Sequence, residues 1–404
     1  MSESVYDGEI AIIGAGPAGS TAATLLARAG REVHVFDRAE FPRDKCCGDG
    51  LTTLALRELE TLGFDPSNVA SWQQVEGAVI RSPRGRERWY PLPDGVGYHA
   101  AVATREDLDA ALVDLARESG AHVHEGWQLT GVDHGADGVA LAFGEDVHRT
   151  RQVIAADGMW SPTRKMLGLG VADYRGEWHA FRQYFRNVSP RAARELVVWF
   201  ERDLLPGYAW SFPLADGRAN IGFGIQRGGP HAIGSMKDLW SDLLARAHVQ
   251  ELLGSESEAE GPHKAWPIPA RVGRVPLVGP HTMFVGDAAA VSDPMTGEGI
   301  GQALLTGRIA ANAILAGDGS LERYEHEVRR ELVADDRMAR ILIPLLARPA
   351  ICGAALRATG ANAWTRRNFA RWMFEDYPRA MIATPRRWHR NMFTGPGAYQ
   401  QPQP

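Results

Sequence analysis

The sequence predicts an α/β protein: a parallel-sheet domain, an antiparallel sheet inserted into it, and a C-terminal helical cap. Three observations carry that prediction. A strand, a glycine-rich turn and an amphipathic helix follow one another within the first 30 residues. Two further strand-to-turn motifs recur around Asp157 and Asp287. Period-two alternation between these motifs gives way, near residue 321, to helical periodicity.

Composition sets the bounds. At 404 residues the chain exceeds one ordinary core, so two intertwined domains are expected. Apolar content of 45%, charged content of 23% and 44 glycines read as a globular α/β enzyme. A formal charge of −5 argues against nucleic acid as a partner. Three cysteines, Cys46, Cys47 and Cys352, are too few for a disulfide framework and fit a reducing compartment. The Met-Ser-Glu-Ser start has no basic or apolar leader region, and no run reaches 18 apolar residues. A cytoplasmic location is therefore expected. Arginine outnumbers lysine 40 to 4, which reads as codon bias.

Glu9-Ile10-Ala11-Ile12-Ile13 is an apolar run of the kind buried in a parallel sheet. It feeds Gly14-Ala15-Gly16-Pro17-Ala18-Gly19, a G-x-G-x-x-G. The next helix carries Ala18, Ala22, Leu25, Leu26 and Ala29 on one stripe and stops at Gly30. A second strand, 32–36, ends on Asp37, 23 positions after Gly14. That context makes the motif specific for a Rossmann-type dinucleotide site. Gly14 permits the tight turn, and Gly16 lets backbone N–H groups approach a pyrophosphate at the helix N-terminus. Gly19 lets helix and strand pack closely, and Asp37 is placed to bind the adenosine ribose. This unit alone does not choose FAD over NAD.

Two later motifs make that choice. Residues 153–164 form a strand that breaks into D-G-x-x-S-x-x-R, from Asp157 to Arg164. A strand over 282–285 then runs into Gly286-Asp287-Ala288-Ala289, followed by Asp293-Pro294-Met295-Thr296-Gly297-Glu298-Gly299-Ile300 and a long helix. Asp287, at the carboxyl end of a strand, suits a ribityl hydroxyl. Gly299 and Ile300 are expected to offer free N–H groups and a helix dipole to the N1–C2=O edge of a flavin. Asp157-Gly158 also reads as a plain turn, and Asp287 as a helix cap.

These three motifs, in this order, resemble the flavoprotein class typified by para-hydroxybenzoate hydroxylase. Within it, the chain is most similar to the geranylgeranyl reductase family, which includes menaquinone reductases. Phe41-Pro42-Arg43-Asp44-Lys45-Cys46-Cys47-Gly48-Asp49-Gly50-Leu51 carries the closer resemblance, with Arg105-Glu106-Asp107-Leu108-Asp109 and Pro206-Gly207-Tyr208-Ala209-Trp210-Ser211-Phe212-Pro213. It covers about residues 8 to 320. The resemblance implies FAD as cofactor, with Gly14, Ala15, Gly16, Pro17, Ala18, Gly19, Asp37 and Arg38 on its ADP half. It places Cys47, Gly48 and Asp49 along the flavin, Arg105 on the cofactor, and Leu129, Asp157, Gly286, Asp287, Gly299 and Ile300 around it. Tyr208, Trp210 and Phe212 would line the substrate side, with Cys47, Tyr208 and Trp210 as the catalytic candidates. The doubled cysteine departs from the pattern and leaves open which of the two faces the ring.

The expected organisation is a discontinuous FAD domain (1–70, 98–165 and 265–320) and a substrate sheet (71–97 and 166–264). Alternation in 197–200 and 220–225 supports strands in the latter. Residues 321–404 should form a helical region with a disordered tail after Gly395. Eleven arginines and two acids, Glu375 and Asp376, fall between Arg337 and Arg390, interleaved with Trp364, Phe369, Trp372, Phe374 and Trp388. This reads either as a helical cap over an apolar pocket or as a surface for peripheral contact with anionic lipid on the inner face of the membrane.

No second strand–G-x-G-x-x-G–helix unit is present, so electrons would come from transiently bound NAD(P)H or from a reductase or ferredoxin partner. Reduction of C=C bonds in a lipophilic isoprenoid is the reaction expected. A monooxygenase or epoxidase of a hydrophobic substrate is the alternative, because the fold hosts both chemistries. Halogenation is disfavoured: no lysine occurs between Lys45 and Lys165, and W-x-W-x-I-P is absent. A non-catalytic redox sensor using Cys46 and Cys47 has little support, since adjacent cysteines form only a strained bridge. Pairing of Cys352 with Cys47 would require the cap to fold back. No histidine spacing suggests a metal site.

Overall fold

The computed structural model describes residues 7–95, 97–388, 390 and 392–400. Its first sheet is ordered Val278–Gly279, Thr282–Phe284, Asp146–Ala155, Gly8–Ile13, Val33–Phe36, His122–His124. Gly8–Ile13 runs parallel to both of its neighbours. Both of its faces are covered, which is why Ile10, Ala11 and Ile12 are all apolar and fully buried. A hairpin, Val139–Phe143 with Gly131–His134, extends the Asp146–Ala155 strand. Proline occupies the first turn of the Pro17–Arg28 helix, where its missing N–H costs nothing. That helix packs on the Ile300–Leu315 helix, and a Cβ at Gly307 would stand 3.1 Å from the Ala18 carbonyl carbon.

The second sheet has seven strands, ordered Glu258–Ile268, Trp178–Arg186, Ala219–Gln226, Tyr208–Pro213, Leu196–Trp199, Gly77–Arg81, Glu87–Pro91. It is antiparallel except for one pair. Leu196–Trp199 runs parallel to Gly77–Arg81, a strand that arrives from a distant part of the chain rather than through a hairpin. Strand periodicity divides its faces. Phe181, Ile221 and Phe223 point one way, onto Trp240, Leu243 and Leu252 of the helices Met236–Ala245 and Ala247–Leu253. The register sets Tyr208 beside Gly224, Trp210 beside Gly222 and Phe212 beside Asn220. These alternate residues share the opposite face.

Helices Ser320–Leu346, Pro349–Thr359 and Ala363–Met373 form the cap. Cys352, Leu356, Ala370 and Phe374 join the buried cluster around Tyr90, whose hydroxyl donates to Leu356 O at 3.0 Å. The tail departs from expectation. Residues 397–399 are buried, with Tyr98 and Ala398 exchanging backbone hydrogen bonds of 2.6 and 2.8 Å and Ala398 fully buried. Glycines on both sides permit this approach: a Cβ at Gly97 would meet Ala398 O at 2.5 Å, and one at Gly397 would meet Tyr98 C at 2.5 Å. Residues 401–404 lie outside the described residues.

Candidate active site

One cavity of about 1180 Å³ connects the glycine turn, the Cys-Gly segment, the aromatic strand and the cap. It opens at the carboxyl ends of the parallel strands, where strand-to-helix turns leave backbone amides unpaired. Gly14, Gly16, Pro17 and Ala18 line it, but Ala15 and Gly19 do not. The Ala15 N–H is taken by Asp37 Oδ2 at 2.7 Å. Gly19 lies behind the loop, where a Cβ would stand 3.1 Å from the Gly14 carbonyl carbon. Gly14 has φ +101, and a Cβ there would stand 2.8 Å from the Ala156 carbonyl carbon. Asp37, Arg38 and Leu129 complete this end.

Above the loop the expected Arg105 is joined by a second cation, Arg43, which the sequence reading missed. From the position of a Gly16 Cβ, Arg43 Nη2 stands at 3.7 Å and Arg105 Nη2 at 4.0 Å. Both guanidiniums share Asp109, which Arg105 holds through two bonds of 2.7 Å and Arg43 meets at 3.0 Å. Two cations against one fully buried carboxylate leave a net positive charge facing the turn. A pyrophosphate fits that field and those amides. Local sequence does not reveal the role of Arg43, because its pairing with Asp109 spans 66 positions.

The D-G-x-x-S-x-x-R motif is largely a brace. Asp157 lines the cavity, yet its Oδ2 accepts from Thr163 N at 2.9 Å. Ser161 caps the short Pro162–Met166 helix. Arg164 donates to Ala288 O at 2.7 and 3.0 Å and to Pro276 O at 2.9 Å, and it lies 3.9 Å over the Phe284 ring. It thus ties this turn to the Gly286–Ala289 turn, from which Asp287 faces the cavity. Gly299 and Ile300 line the cavity too, but the Ile300 N–H is not free. Glu298 folds back so that its Oε1 accepts from Ile300 N at 2.9 Å and Gly301 N at 3.2 Å, occupying the first N–H groups of the helix.

Cys47, Gly48 and Asp49 lie across the aromatic strand. The Trp210 indole is held between two glycines: a Cβ at Gly48 would touch it at 3.5 Å, and one at Gly222 would overlap it at 2.6 Å. Its Nε1–H donates to Asn220 Oδ1 at 3.2 Å. Asn220 Nδ2 in turn bonds Cys47 O at 2.9 Å and Asp49 Oδ2 at 2.8 Å. Asp49 is fully buried, with φ +67, and also accepts from the Tyr184 hydroxyl at 2.6 Å. Burial raises its carboxyl to about 6 despite these bonds. Burial likewise pushes the Cys47 thiol up to about 12 and that of Cys46 to about 11. All three cysteines are free, so the structure contains no Cys47–Cys352 bridge. Tyr208 donates its hydroxyl hydrogen to Thr296 O. Lys45, also missed, places Nζ 3.4 Å over the Trp266 ring; burial lowers it to about 8, against the pull of Asp287. Among the described residues no cluster has metal-binding geometry.

Comparison with known proteins accords with this geometry. The FAD binding domain family matches residues 7–335. The menaquinone reductase of Mycolicibacterium smegmatis is 36% identical over 340 residues, 76% of each chain. A digeranylgeranylglycerophospholipid reductase of Methanopyrus kandleri is 34% identical, over 80% of this chain and 82% of its own. The crystal structure of a geranylgeranyl bacteriochlorophyll reductase-like protein from Thermoplasma acidophilum superposes with a TM-score of 0.78 at 22% identity. That match covers 94% of this chain and 99% of the other, and it shows the fold. The chain accordingly belongs to the geranylgeranyl reductase family of FAD-dependent oxidoreductases.

Proposed function

We propose that this protein saturates C=C bonds in the isoprenoid chain of a lipophilic substrate, either a prenylated quinone or a prenyl lipid. The observation that carries the reading is the single cavity, which continues from the glycine turn, past the aromatic strand, to apolar residues of the cap. Leu346, Cys352, Leu356 and Phe369 line its far end, suited to an extended hydrocarbon. The relatives named above share an isoprenoid chain as the common chemistry of their substrates' names.

FAD, when bound here, would supply two-electron hydride chemistry, and the protein's own side chains hold and orient the reactants. Gly14, Gly16, Arg43 and Arg105 would hold its pyrophosphate, Asp37 its ribose and Asp287 its ribityl chain. An isolated C=C accepts hydride poorly, so the surrounding residues must fix it in place and stabilise positive charge on the second carbon. Tyr208, Trp210 and Phe212 offer electron-rich faces for that purpose. Cys47, with its raised thiol pKa, stays neutral beside them. Electrons would come from transiently bound NAD(P)H or from a reductase or ferredoxin-type partner.

The cap also presents Ile341, Trp364, Ile382 and Trp388, each more than half exposed, among the arginines of this region. Such a surface suits peripheral contact with anionic lipid, where these substrates reside. Among the described residues no single helix is long and apolar enough to cross a membrane; Ser320–Leu346 and Pro349–Thr359 pass that test only together, and they meet at 114°.

The test is anaerobic incubation of the reduced protein with a polyprenyl quinone or a geranylgeranyl lipid, followed by mass spectrometry. Gain of two hydrogens per bond is expected. A product carrying oxygen from air, with no saturated product under anaerobic conditions, overturns the reading in favour of an oxygenase.

A further inference from the structure

Saturating one C=C consumes two electrons and two protons. When a nicotinamide donor supplies one hydrogen as hydride, the other must still arrive as a proton; a one-electron iron–sulfur donor brings neither. The cap end of the cavity, lined by Leu346, Cys352, Leu356 and Phe369, offers an alkene there no proton carrier of its own. A second cleft, of about 330 Å³, lies behind the reaction cavity, and two buried carboxyl groups stand between them. Glu298 lines the reaction cavity and Glu375 lines the cleft.

Glu375 is fixed from both sides. Thr52 Oγ1, from the reaction-cavity wall, donates to its Oε2 at 3.0 Å. Gln302 Nε2, from the cleft wall, donates to its Oε1 at 2.7 Å. Gln302 Oε1 is buried without a protein partner, which gives solvent in the cleft a group to bond. Arg379 is the cation facing the pair, 3.4 Å from Glu375 and 3.6 Å from Asp293, with a side chain only 2% exposed. Asp335 also faces Glu375, and Glu298 itself faces Tyr208 and Cys47. Asp335 has its own partner in Arg387 at 3.0 Å, on the cleft wall, so Arg379 is left between Asp293 and the two glutamates.

We propose that Glu298 and Glu375 form the proton path of this enzyme, carrying protons from the second cleft into the reaction cavity. A solvent proton forms an O–H bond on Glu375. That bond breaks as Glu298 takes the proton, and Glu298 releases it to become the second hydrogen of the product. Each proton that leaves is replaced by one from the cleft, so the charge of the pair is restored, and the electron pair comes from the nicotinamide or iron–sulfur donor. Burial first, then the Glu375 charge, raise Glu298 to about 8, which keeps a transferable proton on the pair at neutral pH. The product's hydrogen rests on the reductase reading, whereas proton uptake accompanies any reduction of bound flavin.

The experiment therefore omits the prenyl substrate. FAD-loaded protein is reduced anaerobically by flash photoreduction in weak buffer, and proton uptake is followed with a pH-indicator dye. Glu375→Gln is expected to slow uptake by about tenfold or more, with FAD content and melting temperature retained. Glu298→Gln is the second variant, should the first not fold. In wild-type protein the uptake rate should fall as pH rises through about 8. Wild-type uptake kinetics in either folded variant, or a wild-type rate that does not vary with pH across that range, overturns the proposal. Slowed uptake in a protein that saturates no prenyl substrate sinks the reductase reading and leaves the path standing.

Discussion

Replacing Gly222 and Gly48 separately by alanine should have opposite outcomes, although both glycines flank the same indole. At Gly222 the new methyl would overlap Trp210 Cε2 at 2.6 Å and press on the Phe181 carbonyl oxygen of the neighbouring strand. The backbone cannot yield without breaking the pairing of Phe181 with Phe223, so the indole must leave its seat. Overpacking of this kind costs about 3 kcal/mol, the upper end of the usual range, out of a total stability of roughly 5–15 kcal/mol. At Gly48 the methyl would touch the ring at 3.5 Å, ordinary van der Waals contact, at an expected cost below about 1 kcal/mol. Urea denaturation gives the stability change, and FAD fluorescence titration reports the distant glycine turn. G222A should be markedly less stable, lose binding of a prenyl substrate and keep FAD; G48A should resemble wild type. Equal stability of the two variants, or a G222A protein that binds substrate normally, would refute the claim that this glycine seats Trp210.

Arg43→Ala should weaken FAD binding by about tenfold and flatten its salt dependence, since a charge-assisted contact to phosphate is worth about 1.5–3 kcal/mol; titration at two ionic strengths checks this. Arg164→Ala should destabilise by about 3 kcal/mol, leaving the carbonyls of Ala288 and Pro276 buried without their donor, and FAD content should fall as the Asp287 turn loosens. The histidines provide a pH test. His34 bonds His124 at 3.0 Å and packs on His122 and His148. Burial first, then His148, His122 and His124, against Asp7, lower His34 from 6.5 to about 4, and burial lowers His124 and His148 as well. A lowered folded-state pKa means that the unfolded chain takes up the proton first. Stability is therefore full above pH 6.5 and declines as pH falls toward 4. Urea midpoints at pH 7.5 and 5 should show that decline, and it should shrink in His34→Gln.

What the sequence made legible was local. The strand, glycine turn and helix around Gly14 are contiguous, so spacing alone identifies them, and the same holds for the turns at Asp157 and Asp287. The seat of Trp210 was not legible, because Gly222 reaches it through the register between strands rather than by proximity in the chain. Arg43 and Asp109 meet only through tertiary packing. Glu298 sits inside a recognisable motif, yet no neighbouring residue indicates that its carboxyl group turns back onto Ile300 N and Gly301 N. The ordered tail depended on Gly97 and Gly397 coming together across 300 positions, and single-sequence composition could only suggest a loose end.

The parallel pairing of Leu196–Trp199 with Gly77–Arg81 bears on how such a protein diversifies. Two strands of that sheet, Gly77–Arg81 and Glu87–Pro91, are supplied by an early excursion of the chain, and the other five by a much later one. No single continuous segment can be exchanged to transplant that wall. Change in the cavity must then arise by point replacement on a fixed frame, at side chains such as Phe212 and Phe369 that line it. Recombination between relatives would have to preserve both excursions at once.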